Sequence, residues 1–157
     1  MSTRGYIGLK KHEQLKGQYN HWDSYFSCLG REIICTINSI DKNKRIDTLN
    51  ETYNNIILLN PRNKKSRKIV KEVFKKDDDY WYDLFAKYQG RLDLYVKGYK
   101  YMLDGNSFFK DTIWCDYAYI INLDDNTLDV YRHGKLKVST NLLKLNYKRM
   151  ERKVEKN

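Results

Sequence analysis

The chemistry-bearing residues of this chain concentrate in Tyr19-Asn20-His21-Trp22-Asp23-Ser24-Tyr25, with Arg4 a short distance upstream. A histidine that titrates near neutrality, a carboxylate to orient it and a hydroxyl are the parts of an acid/base or nucleophile arrangement. Under that reading His21 is a general base, Asp23 its orienting partner and Ser24 a hydroxyl nucleophile, while Arg4 stabilises a developing negative charge or a substrate phosphate. His21 and Asp23 share a side only where the backbone is extended. The competing expectation is structural: Asp23 or Ser24 caps a following helix while His21 and Arg4 complete a buried polar network. A further catalytic option is an N-terminal nucleophile, with Ser2 exposed by removal of Met1 and its own amine as base; Thr3 would need additional cleavage.

Metal chemistry has weaker footing. His12, His21 and His133, taken with Asp23 or Asp116, show no i, i+4 histidine pair and no recognisable ligand set. Asp124-Asp125-Asn126 matches only a fragment of a calcium loop, without its glycine and distal glutamate. No metal and no other cofactor is therefore expected.

Charge points elsewhere. Lys and Arg number 30 against 20 Asp and Glu, a net charge of +10, which favours polyanionic partners. The excess gathers in two stretches, Lys64 to Lys76 and Lys144 to Lys156, interleaved with Tyr80, Trp81, Tyr82 and Tyr147. Lys68, Lys71, Arg149 and Arg152 are candidate phosphate contacts there, with the aromatic rings as stacking platforms. Alternatively these are solvated helix faces whose aromatics turn inward. No helix-turn-helix, zinc-finger or ribonucleoprotein signature is present, so contact with nucleic-acid backbone or a free nucleotide is favoured over sequence-specific recognition.

These residues must be positioned by a chain of 157 residues, enough for one domain with its own core. Cys28, Cys35 and Cys115 lack a C-x-x-C pairing, and Cys28 and Cys35 lie two turns apart, where they are expected to pack as small apolar groups. With no apolar run of membrane-spanning length and no signal-peptide core, a cytoplasmic setting without membrane contact is expected; oligomeric state stays open.

Gly5 to Leu9 and Gly17 to Tyr19, around a polar stretch, predict a hairpin. Leu29, Ile33, Ile37 and Ile40 predict an amphipathic helix weakened at Gly30. Asp47 or Thr48 is expected to cap a second helix carrying Leu49, Tyr53, Ile56 and Ile57, closed by Asn60-Pro61. A third helix, Lys65 to Lys76, places Ile69, Val70, Val73 and Phe74 inward. Asp77, Asp78 and Asp79 precede a fourth from Tyr80 to Tyr88, with Gly90 a stop. Arg91 to Met102 reads as helix turning to strand near Gly98. Tyr117 to Leu123 and Leu128 to Tyr131 predict a hairpin turning at Asp124-Asp125-Asn126, and Leu143, Tyr147, Met150 and Val154 share the face of a last helix. Strands at both ends around central helices predict an α+β domain: a mostly antiparallel sheet from N-terminal and C-terminal hairpins, with helices packed on one side.

Thr3-Arg4-Gly5, the Tyr19 to Tyr25 cluster and Trp114-Cys115-Asp116-Tyr117-Ala118-Tyr119-Ile120-Ile121-Asn122-Leu123-Asp124 together resemble a family of small bacteriophage and prophage proteins. Its members carry an N-terminal Thr-Arg-Gly segment, a Tyr-Asn-His-x-Asp-Ser-Tyr cluster and an aromatic hairpin near the end. The chain departs from that pattern at Phe26, where proline is expected, and at Asp116, where glutamate is expected. The resemblance implies a counter-defence role: inhibition of a bacterial host defence system, anti-CRISPR-like or other, through a defence protein, its nucleic acid or its nucleotide ligand. Arg4, Asn20, His21 and Asp23 are then the expected pocket or interface.

Overall fold

A computed structural model describes residues 3–75 and 81–156. Asp77, Asp78, Asp79 and Tyr80, expected at the start of the fourth helix, lie outside the described residues, as does Lys76. The fold is α+β, built on a five-stranded, mostly antiparallel sheet.

The N-terminal hairpin pairs β1 (Gly5–Lys11) with β2 (Gln14–Asn20), longer than the alternation predicts. His12 and Glu13 turn it with φ of 52° and 62°, the left-handed pair of a two-residue hairpin. The tip is braced by Asp124, whose carboxylate accepts from the His12 and Glu13 amides at 2.7 and 3.0 Å. Those two hydrogen bonds hold the Asp124 carboxyl below its ordinary range. Asp124 itself belongs to the turn between β5 (Tyr117–Asn122) and β6 (Thr127–Arg132), so the two hairpin tips are joined.

β5 runs parallel to β1, Gly5 opposite Tyr117 and Leu9 opposite Ile121. A strand that composition did not announce, β7 (Lys135–Asn141), completes the order β2-β1-β5-β6-β7. Alternation divides the sheet into two faces. Ile7, Leu9, Tyr119, Ile121, Leu128 and Val130 enter the main core; Tyr6, Ala118 and Ile120 form a second cluster under Phe108 and Phe109. The expectation of helices on one side is thus corrected: the short α6 (Asn106–Phe109) covers the second face, because that face is also apolar. There the Tyr6 ring lies across Gly8 and Gly17, which pair with each other. Its hydroxyl donates to Asn106 Oδ1 at 2.6 Å.

On the main face, α1 (Arg31–Ser39) follows a π turn, Phe26–Gly30, and buries Ile33 and Ile37 as their spacing predicts; Ile40 falls just beyond its end. α2 (Arg45–Asn55) begins before Asp47, with Lys44 rather than Asp47 or Thr48 at its cap. It also stops before Ile56. Ile57–Leu59 instead forms β3, parallel to β4 (Tyr101–Leu103), so Asn60-Pro61 ends a strand. Cations close the ends of both helices: the distant Lys16 ammonium donates to Tyr53 and Ile56 carbonyls at 2.8 Å, and the nearby Arg45 turns back onto the end of α1.

α3 (Lys64–Ile69) is capped by Asn63 and runs into a second π turn, Val70–Phe74. The wider turn rotates the apolar stripe, so Val70 is buried while Val73, expected inward, is exposed. α4 (Trp81–Phe85) continues as a 3₁₀ turn, Ala86–Tyr88, and Gly90 follows at φ 68°. α5 (Leu92–Val96) gives way through Gly98, at φ 111°, to β4. α7 (Tyr147–Val154) buries Met150 and Val154, with Leu143 in the loop before it.

Cys28 and Cys35 are exposed, contrary to the packing expected of them. At about 100° per residue, Cys35 points opposite the stripe of Leu29, Ile33 and Ile37. Cys115 is buried, its thiol donating to the Tyr117 carbonyl at 3.4 Å, and burial with the nearby Asp116 and Asp111 charges pushes its pKa up to about 12. A chromogenic disulfide reagent should therefore titrate two thiols in the native protein and the third only after urea unfolding. Rapid reaction of all three would show that the Tyr6 face opens readily.

Candidate functional site

β2 ends at Asn20, and the backbone then turns sharply, with Asp23 at φ 50°. Asn20 is buried and donates to the Trp22 carbonyl at 2.6 Å and to Ser24 Oγ at 2.8 Å. The Ser24 hydroxyl returns a bond to the Asn20 carbonyl at 3.4 Å, and its own carbonyl accepts from the Tyr119 hydroxyl at 2.7 Å. Ser24 is fully enclosed, seated against Gly5, where an added Cβ would stand 2.6 Å from its side chain. Asn20 and Ser24 thus form a packed polar link between the loop and the sheet.

The other members of the cluster diverge. His21 is half-buried, with Nδ1 at 2.5 Å from the Tyr19 hydroxyl and its ring edge-on to Trp22. Burial raises the Tyr19 pKa, and the Arg4 charge opposes that rise. Asp23 is exposed and opens onto a different cavity, shared with Asn20, Arg31 and Arg91. Among the described hydrogen bonds none joins His21 to Asp23 or Ser24, so the chain of nucleophile, base and carboxylate is not assembled here. The capping expectation is corrected as well: the first turn is π-helical, preceded by Tyr25 with no side-chain cap. Ser2 lies outside the described residues.

A more coherent site forms at one end of the inner strands of the sheet. The parallel pairing of β1 with β5 brings Thr3-Arg4 beside Asp116-Tyr117, and the antiparallel return of β6 sets Arg132 opposite Tyr117. Together with Tyr25, Trp114 and His133 they surround a groove of about 430 Å³. Trp114 is 57 % and Tyr25 46 % exposed. The Arg4 guanidinium sits 5.3 Å from the Trp114 ring centre, and that of Arg132 5.7 Å from the Tyr117 ring.

Asp116 fixes the floor: its Oδ2 accepts from the Arg4 amide at 3.1 Å, its amide donates to the Arg4 carbonyl at 3.0 Å, and Oδ1 lies 3.7 Å from His133 Nδ1. Burial raises the Tyr117 pKa, the Glu155 charge adding to the rise and Arg132 opposing it. Two guanidiniums against aromatic faces offer stacking and anion contacts at one place. Sequence reasoning singled out Arg4 and Asp116 but not Arg132 or Tyr25 as their neighbours. Extending the register of the C-terminal hairpin outward from its turn would have set Arg132 beside Tyr117.

The basic stretches occupy separate elements. α3, with Lys68, packs on β3 and continues into the π turn holding Lys71, whereas α7, with Arg149 and Arg152, packs on β6 and β7. Of the aromatic platforms proposed for them, Trp81 is buried and Tyr147 stacks on Phe26 under the Arg31 guanidinium; Tyr82 remains exposed. Among the described residues no group of three or more histidines, cysteines or acids could hold a metal ion. No described helix is long and apolar enough to cross a membrane. The chain matches no protein-family model, and no curated protein or solved structure is significantly similar to it.

Proposed function

We propose that this chain is a bacteriophage or prophage accessory protein that works by binding, inhibiting a bacterial host defence system from within the host cytoplasm. Its ligand is a nucleotide unit, free or within a nucleic acid or nucleoprotein, held in the groove of Arg4, Trp114, Tyr117 and Arg132. The observation that carries this reading is the pairing of each guanidinium with an aromatic ring around one open groove. A base needs an aromatic face and a phosphate needs a forked cation, and the groove offers both. The phage and counter-defence context rests on the sequence resemblance. A hydrolase built on His21 has less support, since Ser24 is enclosed and Asp23 opens on another cavity.

Binding of a fluorescent ribonucleoside monophosphate tests the groove. Trp114→Ala should weaken it about tenfold, the scale of one lost stacking partner, and Arg132→Glu should weaken it further. His21→Ala should change it less than about twofold, within the uncertainty of an unlinked site. Equal loss in His21→Ala and Trp114→Ala would move the site away from the groove.

A further inference from the structure

A second groove of about 260 Å³ lies between β7 and α7. Lys144, Arg149 and Lys153 line it above an apolar floor of Val138 and Met150, and no acidic side chain lines it. Arg149 and Lys153 are one turn apart on the same helix face. None of the three cations has an acidic partner among the described ion pairs. Three like charges lining one groove repel one another, and an anion seated among them relieves that repulsion.

The position of this groove relates it to the first. β7 is an edge strand, and its residues Val138 to Asn141 line the groove. α7 leads back along β7 from Lys144 and Asn146 to Glu155, which lies 3.7 Å from Arg132 in the aromatic groove. An eight-residue helix is about 12 Å long. One phosphate cannot reach both ends of that path, whereas consecutive phosphates of a polymer can.

We infer that the β7–α7 groove is a phosphate track and that the ligand is a single-stranded nucleic acid, one base seated in the aromatic groove and its backbone running beside α7 over Lys153, Arg149 and Lys144. This rests on the proposed function and specifies its ligand class. A single strand suits the path because its unstacked bases are free to enter an aromatic site. The two grooves share no lining residue; on the path between them Arg132 exchanges its contact with Glu155 for a ligand phosphate.

The test is fluorescence anisotropy with a labelled single-stranded oligonucleotide of roughly 12 nucleotides, beside the fluorescent monophosphate, between about 50 and 200 mM salt. The oligonucleotide should bind more than about tenfold tighter than the monophosphate. The triple variant K144E/R149E/K153E should weaken the oligonucleotide at least about tenfold and flatten its log affinity against log salt by about two, the contribution of three phosphate contacts. Monophosphate affinity should stay within about twofold, and K144Q/R149Q/K153Q should show a smaller change in the same direction.

An unchanged oligonucleotide affinity and salt slope in the triple variant would overturn the track. So would equal affinity for the two probes, or preference for a duplex or for vesicles containing phosphatidylserine. If the wild type binds the monophosphate but not the oligonucleotide, only the track falls. If it binds neither, the nucleotide reading of the first groove falls with it. The substituted residues are exposed, so urea midpoints should match the wild type.

Discussion

Gly17→Ala is expected to lower the melting temperature by roughly 6–12 °C, corresponding to about 3 kcal/mol for a chain of this size. A Cβ at Gly17 would stand 2.1 Å from the Tyr6 hydroxyl oxygen and 2.2 Å from its ring carbon. Tyr6 has nowhere to withdraw, being wholly buried, hydrogen bonded to Asn106 and packed at 5.2 Å from the Phe109 ring. Asn106 is itself held by the Leu15 carbonyl, and the Gly105 amide donates to the Gly17 carbonyl. The alanine must therefore displace a strand or eject the ring. Tyr6→Leu/Gly17→Ala should lose less than the sum of the single changes, because the leucine vacates the colliding volume. Thermal melts of the single and double variants decide this; a Tm for Gly17→Ala within about 2 °C of wild type would mean that the ring slides aside.

The second large effect concerns Arg45, which is only 6 % exposed. Its guanidinium donates to the carbonyls of Asn38, Ile40 and Leu142 at 3.0–3.3 Å. The first two lie at the end of α1, where aligned peptide dipoles leave negative potential and unpaired acceptors. Arg45→Met should destabilise the protein by about 3–5 kcal/mol in urea unfolding, since the buried Leu142 carbonyl and the part-buried Asn38 and Ile40 carbonyls lose their donor. Arg45→Lys should recover no more than about half, because a compact ammonium lacks the planar fork. A loss below about 1 kcal/mol for the methionine variant would show that water takes over those carbonyls.

Much of the architecture was legible because local pattern and tertiary environment agree. The C-terminal hairpin announces itself through apolar residues on both sides of Asp124-Asp125-Asn126, and Ile33 and Ile37 mark the inner face of α1. Three departures have physical causes. Ile56 and Ile57 continue the apolar spacing of α2, but the Ile57 amide is drawn to the Lys100 carbonyl at 2.7 Å, a partner over forty residues away in sequence that periodicity cannot sense. The second π turn shifts the facing of the residues within it, which places Val73 outside. β7 escaped notice because it is an edge strand whose residues are largely polar or exposed, with Val138 its one buried position.

The candidate site was half legible for a related reason. The predicted N-terminal hairpin points to Arg4 and the resemblance to Asp116, but Tyr25 and Arg132 join them, and Trp114 joins Arg4, only through tertiary pairing. Conversely, the adjacency of His21, Asp23 and Ser24 suggested cooperation that the turn at Asp23 prevents. Ser24 faces inward, Asp23 faces solvent, and His21 turns to Tyr19.

The parallel seam between β1 and β5 also governs the order in which the molecule can be made. Gly5 pairs with Tyr117, so β1 waits for a strand made much later before its inner edge is satisfied. At about 5–20 residues per second, that wait is roughly 6–20 s. During it the N-terminal hairpin carries an open edge lined by Ile7 and Leu9, the kind of surface that recruits chaperones or other strands. Closing so distant a pair also makes the final sheet slow to nucleate. The groove lies at the end of this same seam, so binding competence arrives only after β5 and β6 have been made.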